Sequence, residues 1–211
     1  MLFLLILASC SSSRSFSNED FVSKINDSVM ATQQEELDSI LSALQKQNDL
    51  LLVFADENFA WTRMTSYHIL AKNGEEWKGY FYKGSNRKMS ANSDTIYKEI
   101  TVSKEDANDL LAFFNANELW KVKGDDGKNF CAEVNNTSNG SKPAIQKCNI
   151  YDANTWQLFI ITHDKVISPS YYAPDFYERC CPGNTDRKHF VEAAKKIRSL
   201  IQPTASDAKP L

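Results

Sequence analysis

Residues 50–82 read LLLVFADENFAWTRMTSYHILAKNGEEWKGYFY, and this stretch decides the fold. Its apolar and aromatic runs at 50–55, 59–71 and 76–82 have the length of strands and are separated by turn residues. Asn73-Gly74 between two such runs is a strong hairpin signal, because both residue types tolerate the positive φ that a tight two-residue turn demands. Asp56-Glu57-Asn58 predicts a second tight reversal. A further run at 95–102 continues the series. Sequential strands joined by short turns pair antiparallel, whereas parallel pairing needs long crossovers. The expectation is an antiparallel meander.

Toward the N-terminus, Thr32 and Glu35 have capping-box spacing, with Leu37, Ile40, Leu41 and Leu44 on one helical face before Asn48. Phe21, Ile25 and Val29 give a weaker helical pattern. Toward the C-terminus, Ser103 and Asp106 repeat the capping spacing ahead of Ala107, Leu110, Leu111 and Phe114, a stripe ending near Asn117. Strand-like runs follow at 130–134, 144–150 and 155–167. In the last of these Trp156, Leu158 and Ile160 alternate with Phe159 and Ile161, so both faces are apolar and the strand belongs inside the sheet. A final helix over 185–201 carries Phe190, Ala194, Ile197 and Ile201 on one face and stops before Pro203. With no internal repeat and no linker, residues 19–203 read as a single α+β domain, one antiparallel sheet with about three helices packed on it, followed by a polar tail at 204–211.

The chain has 211 residues, 42% hydrophobic and 24% charged, with 24 basic against 27 acidic side chains. That balance excludes a mostly disordered chain or a fibre, and five Cys in this length is too few for a disulfide-packed miniprotein. A net charge of −3 argues against nucleic acid as a partner.

The first eight residues, Met1 through Ala8, are all apolar. They are far short of the roughly 20 residues that span a bilayer, but suit the apolar centre of an export signal. Leu7-Ala8-Ser9-Cys10 resembles the lipobox of bacterial lipoproteins. The resemblance implies cleavage after residue 9, a diacylglycerol on the Cys10 sulfur and an acyl chain such as palmitate on its amine. Residues 10–18, rich in Ser, then form a lipidated tether. Ser11 after the Cys resembles the outer-membrane sorting state of that class, which implies a lipid-anchored protein of the cell envelope of a Gram-negative bacterium.

With Cys10 assigned to lipid, Cys131, Cys148, Cys180 and Cys181 remain, an even number in an exported protein. If Asn139-Gly140 turns a hairpin, its register sets Cys131 directly opposite Cys148 at a distance a disulfide can bridge. Pro143 interrupts that ladder. The other arrangement is two crossed bridges, Cys131 to Cys180 or Cys181 and Cys148 to the remaining one. A bond between Cys180 and Cys181 themselves would be strained, since adjacent Cα atoms are about 3.8 Å apart.

None of the common catalytic signatures is present: no Gly-x-Ser-x-Gly, no His-Glu-x-x-His, no phosphate loop and no dinucleotide fingerprint. His68, His163 and His189 fall on two strands and a helix, without a Cys or His at ligand spacing. Asp125, Asp126 and Asn129 around Gly127 are oxygen-rich but do not follow a calcium-loop pattern, so no metal or cofactor is expected. The most unusual composition is 168–181, where Tyr171, Tyr172, Phe176 and Tyr177 lie among prolines. Such a segment either grips a ligand or covers an open end of the sheet. Asp27-Ser28-Val29, Asp38-Ser39-Ile40 and Asp94-Thr95-Ile96 resemble the Asp-Ser/Thr-aliphatic O-glycosylation sequon of some Gram-negative envelopes.

Together these readings point to a lipid-anchored envelope protein that acts as a binding or assembly accessory for an envelope protein or glycan. The competing expectation is a periplasmic or surface enzyme, a hydrolase or thiol-redox protein using Cys180, Cys181 and His189.

Overall fold

Leu50, Leu51, Leu52, Val53, Phe54 and Ala55 have no polar residue among them, so a strand made of them must bury both faces. The computed structural model, which describes residues 18–28, 32–33, 37–58, 64–85, 96–125, 131 and 148–203, meets that requirement. All six residues are buried. They lie in β2 (Leu50–Asn58), which pairs antiparallel with β3 (Met64–Asn73) on one side and β6 (Thr155–Thr162) on the other. From β3 the sheet continues through β4 (Glu76–Ser85) to β5 (Ile96–Ile100), the expected meander. From β6 it continues to β7 (Lys165–Ile167) and β1 (Thr32–Gln33).

A last strand, β8 (Ser170–Tyr172), pairs with the same edge of β6 as β7 does. Both share one register. The ladder is broken between them at Pro169, which has no N–H to give but whose carbonyl still accepts from the Leu158 amide at 3.0 Å.

Five α-helices occur among the described residues, two more than expected: α1 (Asn18–Asn26), α2 (Ser39–Gln45), α3 (Lys104–Ala116), α4 (Pro174–Cys180) and α5 (Thr185–Leu200). One face of the sheet, bearing Leu50, Leu52, Phe54, Leu158 and Ile160, buries residues of α1, α3 and α5. The opposite face, bearing Leu51, Val53, Ala55, Ile69 and Ile161, is covered by Leu41 and Leu44 of α2. Thr162 at the end of β6 ties both sides together: its hydroxyl donates to Asn26 at 2.9 Å and its carbonyl accepts from Gln45 at 2.8 Å.

Several boundaries differ from the sequence reading. Thr32 is in a strand paired with Val166 and caps no helix; α2 starts seven residues later, where the Asp38 carboxylate accepts from the Ile40 amide. Asp56, Glu57 and Asn58 form no reversal but continue β2, because the ladders to β3 and β6 hold their backbone and the Asp56 carboxylate finds its own partners. Those partners are Asn154 at 2.7 Å and Arg198 at 2.6 Å, the latter a residue of α5 whose guanidinium lies over the rings of Phe54 and Trp156. The run 155–167 is two strands, since His163 and Asp164 turn the chain between β6 and β7. The run expected from residue 59 begins as β3 at Met64. Of the expected strands at 130–134 and 144–150, the described residues 131 and 148–150 belong to no strand and the rest lie outside the described residues, as do the Asn139-Gly140 turn, the signal peptide (1–9), nearly all of the tether (10–18) and the tail (204–211).

Other expectations hold, one of them shifted. The hairpin forms one residue later than Asn73-Gly74 predicts: Asn73 ends β3 and pairs with Glu76, so the two-residue turn is Gly74-Glu75, with Gly74 at a φ of +55°. The Ser103 hydroxyl accepts from the Asp106 amide at 3.0 Å and caps α3, and Asn184 caps α5 in the same way.

Gly79 of β4 lies against Ile201, the residue that follows α5. A Cβ there would stand 2.6 Å from Ile201 Cδ1, 2.8 Å from Val102 Cγ2 and 2.9 Å from the Ile100 carbonyl oxygen. Gly79→Ala is expected to cost about 1–3 kcal/mol by overpacking, read as a lowered urea midpoint.

His68 lies on the same face, between the rings of Phe54 and Phe81, with Nδ1 2.9 Å from the Ile201 carbonyl oxygen. An acceptor there makes Nδ1 the protonated nitrogen of a neutral ring. Burial, with the Arg198 charge adding to it against the Ile201 hydrogen bond, lowers its pKa to about 4. The unfolded chain takes up this proton near pH 6.5 and the folded chain only near 4, so stability falls as pH drops through that window. The loss is about 2 kcal/mol by pH 5. Glu57, raised by burial and by Asp56, acts in the opposite direction. Urea titrations at pH 8 and pH 5 are expected to show this difference in the native chain and a much smaller one in His68→Phe.

Candidate functional site

Most of the residues singled out by composition meet at one corner, beyond the β8 end of the sheet. Residues 168–181 are not a loop: they fold as β8 and α4, joined through Ala173, which takes a left-handed φ of 45° and donates its amide to the Asn154 carbonyl at 2.9 Å. Alternation along β8 then decides which rings are available. Tyr171 is 3% exposed and packs edge-on against Phe190 of α5 at 4.7 Å. Burial, followed by the Asp186 and Asp125 carboxylates, pushes its hydroxyl pKa up. Tyr172 points the other way and its hydroxyl accepts from the Ala153 amide at 3.0 Å. Tyr177 is buried in a small cluster with Ala173 and Cys181, and Phe176 packs half-buried at its rim. Tyr171 and Tyr177 are therefore structural, and the accessible aromatic surface is Phe176 and Tyr172 together with Tyr151, which is 83% exposed.

Two disulfides close the corner: Cys131–Cys181, with Cα atoms 5.4 Å apart, and Cys148–Cys180, with Cα atoms 6.1 Å apart. The hairpin pairing of Cys131 with Cys148 is thus overturned: both bridges run to the end of α4, with Cys148–Cys180 nested inside Cys131–Cys181. The cause is the end of α4. Cys180 is its last helical residue, whereas Cys181 leaves the helix at φ −139°, so neighbouring sulfurs take different partners. The strained bond between adjacent cysteines is avoided.

Gly124 and Asp125 brace the same corner. Gly124 has a φ of +80°, and any Cβ would stand 2.6 Å from the Ser170 carbonyl oxygen, so only glycine fits. Asp125 donates its amide to that oxygen and accepts the Tyr172 amide on its carboxylate at 3.1 Å. One carboxylate of the oxygen-rich loop is therefore used in bracing; Asp126, Gly127 and Asn129 lie outside the described residues. Arg187, a buried cation that sequence reasoning missed, donates to Glu178 at 3.1 Å and to the Cys181 carbonyl, fastening α5 to α4.

The histidines stay apart from one another. His68 is buried in β3, His163 is exposed in a turn and not on a strand, and His189 is half-buried on α5. Cys181 has its sulfur committed to Cys131, so in the oxidised protein it holds no thiol for His189 to activate. The sulfurs of Cys131, Cys148 and Cys181 lie within 4.8 Å of one another, the closest approach to a metal-ligating group among the described residues. No family model and no curated protein matches the chain. The reading of this corner rests on its own geometry.

A second feature had no sequence signal because its parts are far apart in the chain. Lys24, Asp27, Ser28, Glu118, Trp120 and Lys121 line an open groove of about 590 Å³ between α1 and the 3-10 turn Leu119–Lys121. Its charges are largely spent on each other and on neighbours: Lys121 pairs with Glu118 at 2.7 Å, and Lys24 donates to Asn115 while lying over the Trp120 ring. Of the residues resembling sequon sites, Ser28 donates to the Trp120 carbonyl, Ser39 is exposed in the first turn of α2, and Thr95 lies outside the described residues.

Proposed function

We propose that this is a lipid-anchored protein of the Gram-negative cell envelope, held through Cys10 in the outer membrane, whose domain acts as a binding or assembly accessory for an envelope protein or glycan. What supports the compartment is the pair of nested disulfides joining Cys131, Cys148, Cys180 and Cys181, since such bridges persist in oxidising surroundings and not in the cytosol. No described helix is long and apolar enough to cross a membrane; the proposed attachment is through acyl chains on Cys10. Each buried methylene contributes about 0.8 kcal/mol, and three chains hold a protein at a membrane without a spanning segment.

The binding role rests on Tyr151. A tyrosine 83% exposed, in the segment whose Ile150 and Ala153 pack with Phe176 and Tyr172 around Tyr177, on a corner stiffened by two bridges, offers aromatic area whose ordering has already been accomplished by folding. Cell fractionation tests the anchor: the native chain is expected in the membrane pellet and Cys10→Ser in the soluble fraction. A native chain that stays soluble overturns it. The binding half is tested by co-sedimentation with purified peptidoglycan sacculi and by photo-crosslinking from the exposed position 149 in intact cells. Tyr151→Ala should abolish either signal with unchanged melting, and a native chain that gives neither signal sinks the binding reading.

A further inference from the structure

The two bridges are not independent of each other. Three of their four sulfurs, those of Cys131, Cys148 and Cys181, lie within 4.8 Å of one another, and the fourth, on Cys180, is bonded to Cys148. Access to them is unequal. Cys181 is 5% exposed, whereas Cys131, Cys148 and Cys180 are only half-buried. A reductant in solution therefore approaches the Cys148–Cys180 bridge from the half-buried Cys180 side, whereas the Cys131–Cys181 bridge has Cys181 buried.

We propose that the four cysteines form a single exchangeable redox site, in which a dithiol reductant that opens Cys148–Cys180 converts the nested pair into a Cys131–Cys148 bridge and an adjacent Cys180/Cys181 dithiol. The first step is attack by the reductant's thiolate on the outer bridge; its second thiol resolves the mixed disulfide and leaves as a cyclic or linear disulfide. Two electrons and two protons pass to Cys148 and Cys180. The Cys148 thiolate then attacks the Cys131 sulfur, the Cys131–Cys148 bond forms, the Cys131–Cys181 bond breaks, and Cys181 departs as a thiolate that takes up a proton. The exchange itself consumes no further electrons. One disulfide and two thiols are present before it and after it.

The outcome matters for the corner. In the nested arrangement both bridges pin the end of α4, and with it Phe176 and Tyr177, to residues 131 and 148. After exchange neither does. The remaining bridge joins 131 to 148 alone, and α4 keeps its Arg187–Glu178 pair and its apolar contacts but neither covalent tie. The site thereby couples the supply of reducing dithiol to the freedom of the aromatic surface. It does not depend on the Cys10 anchor, and remains if that reading fails.

Graded reduction of the full chain with dithiothreitol, quenched in acid, alkylated with N-ethylmaleimide and mapped by peptide mass spectrometry, tests this directly. The major two-electron-reduced species is expected to carry Cys131–Cys148 with Cys180 and Cys181 alkylated; a parallel sample, freed of dithiothreitol and left unalkylated, is expected to retain phenylarsine oxide, a probe for closely placed dithiols. A two-electron species that keeps Cys131–Cys181 with Cys148 and Cys180 alkylated, or loss of both bridges together, overturns the proposal. Cys180→Ser supplies the opened state without a reductant. Its free thiol is expected mainly at Cys181, and labelling confined to Cys148 would contradict the exchange.

Discussion

Replacing Cys131 and Cys181 together by Ala is expected to lower stability by about 3 kcal/mol, and removing the second bridge from that variant by about 4 kcal/mol more. The inequality follows from nesting. The bridges close loops of 50 and 32 residues, one inside the other, and the two loops differ by only 18 residues. While the inner bridge is intact, the outer one restricts little more than those 18 residues of unfolded chain, and the same is true with the roles exchanged. Either single removal should therefore cost nearly the same. The last bridge left standing closes a full 32 or 50 residues, for which the loop-closure entropy is larger, at about 4 kcal/mol. Urea unfolding of the two single-bridge variants and the bridgeless one checks the ordering. Equal and additive losses would mean that strain in the folded corner, not the freedom of the unfolded chain, decides the energetics.

What could be seen in the sequence was what depends on near neighbours. Leu50 to Ala55 announced an interior strand because six consecutive apolar residues leave no face for water, and Gly74 announced its turn because few residues accept its φ. Ser103 found its Asp106 amide three residues on. What escaped depends on partners far along the chain. Asp56, Glu57 and Asn58 looked like a reversal, but Arg198 makes Asp56 a strand residue from 142 positions away. The Thr32 spacing matched a capping box that pairing with Val166 overrode. Tyr171 and Tyr177 stood out by composition, and their burial is set by the alternation of β8 and the docking of α4, neither visible in residues 168–181 taken alone. The cysteine framework was legible as four paired sulfurs. Its connectivity was not, because it depends on where α4 ends.

The largest single-residue effect is expected at Glu178. Its partner Arg187 has a side chain only 3% exposed, against 20% for Glu178, so the two are not equivalent. Glu178→Gln removes the carboxylate that pairs with a guanidinium buried beside the Cys181 carbonyl, and breaking a buried ion pair by removing one partner costs about 3–5 kcal/mol. Arg187→Met leaves the opposite fragment, a carboxylate close enough to water to be solvated by a change of rotamer. Its cost is about 1–3 kcal/mol, chiefly from the Cys181 carbonyl losing its donor. The double variant Glu178→Leu with Arg187→Met removes both charges and keeps the apolar volume between α4 and α5, so it should lie above Glu178→Gln in stability despite carrying two substitutions. A double-mutant cycle in urea measures the coupling. If Glu178→Gln proves no worse than Arg187→Met, the guanidinium is reaching water in solution, and the ion pair contributes little to holding α4 against α5.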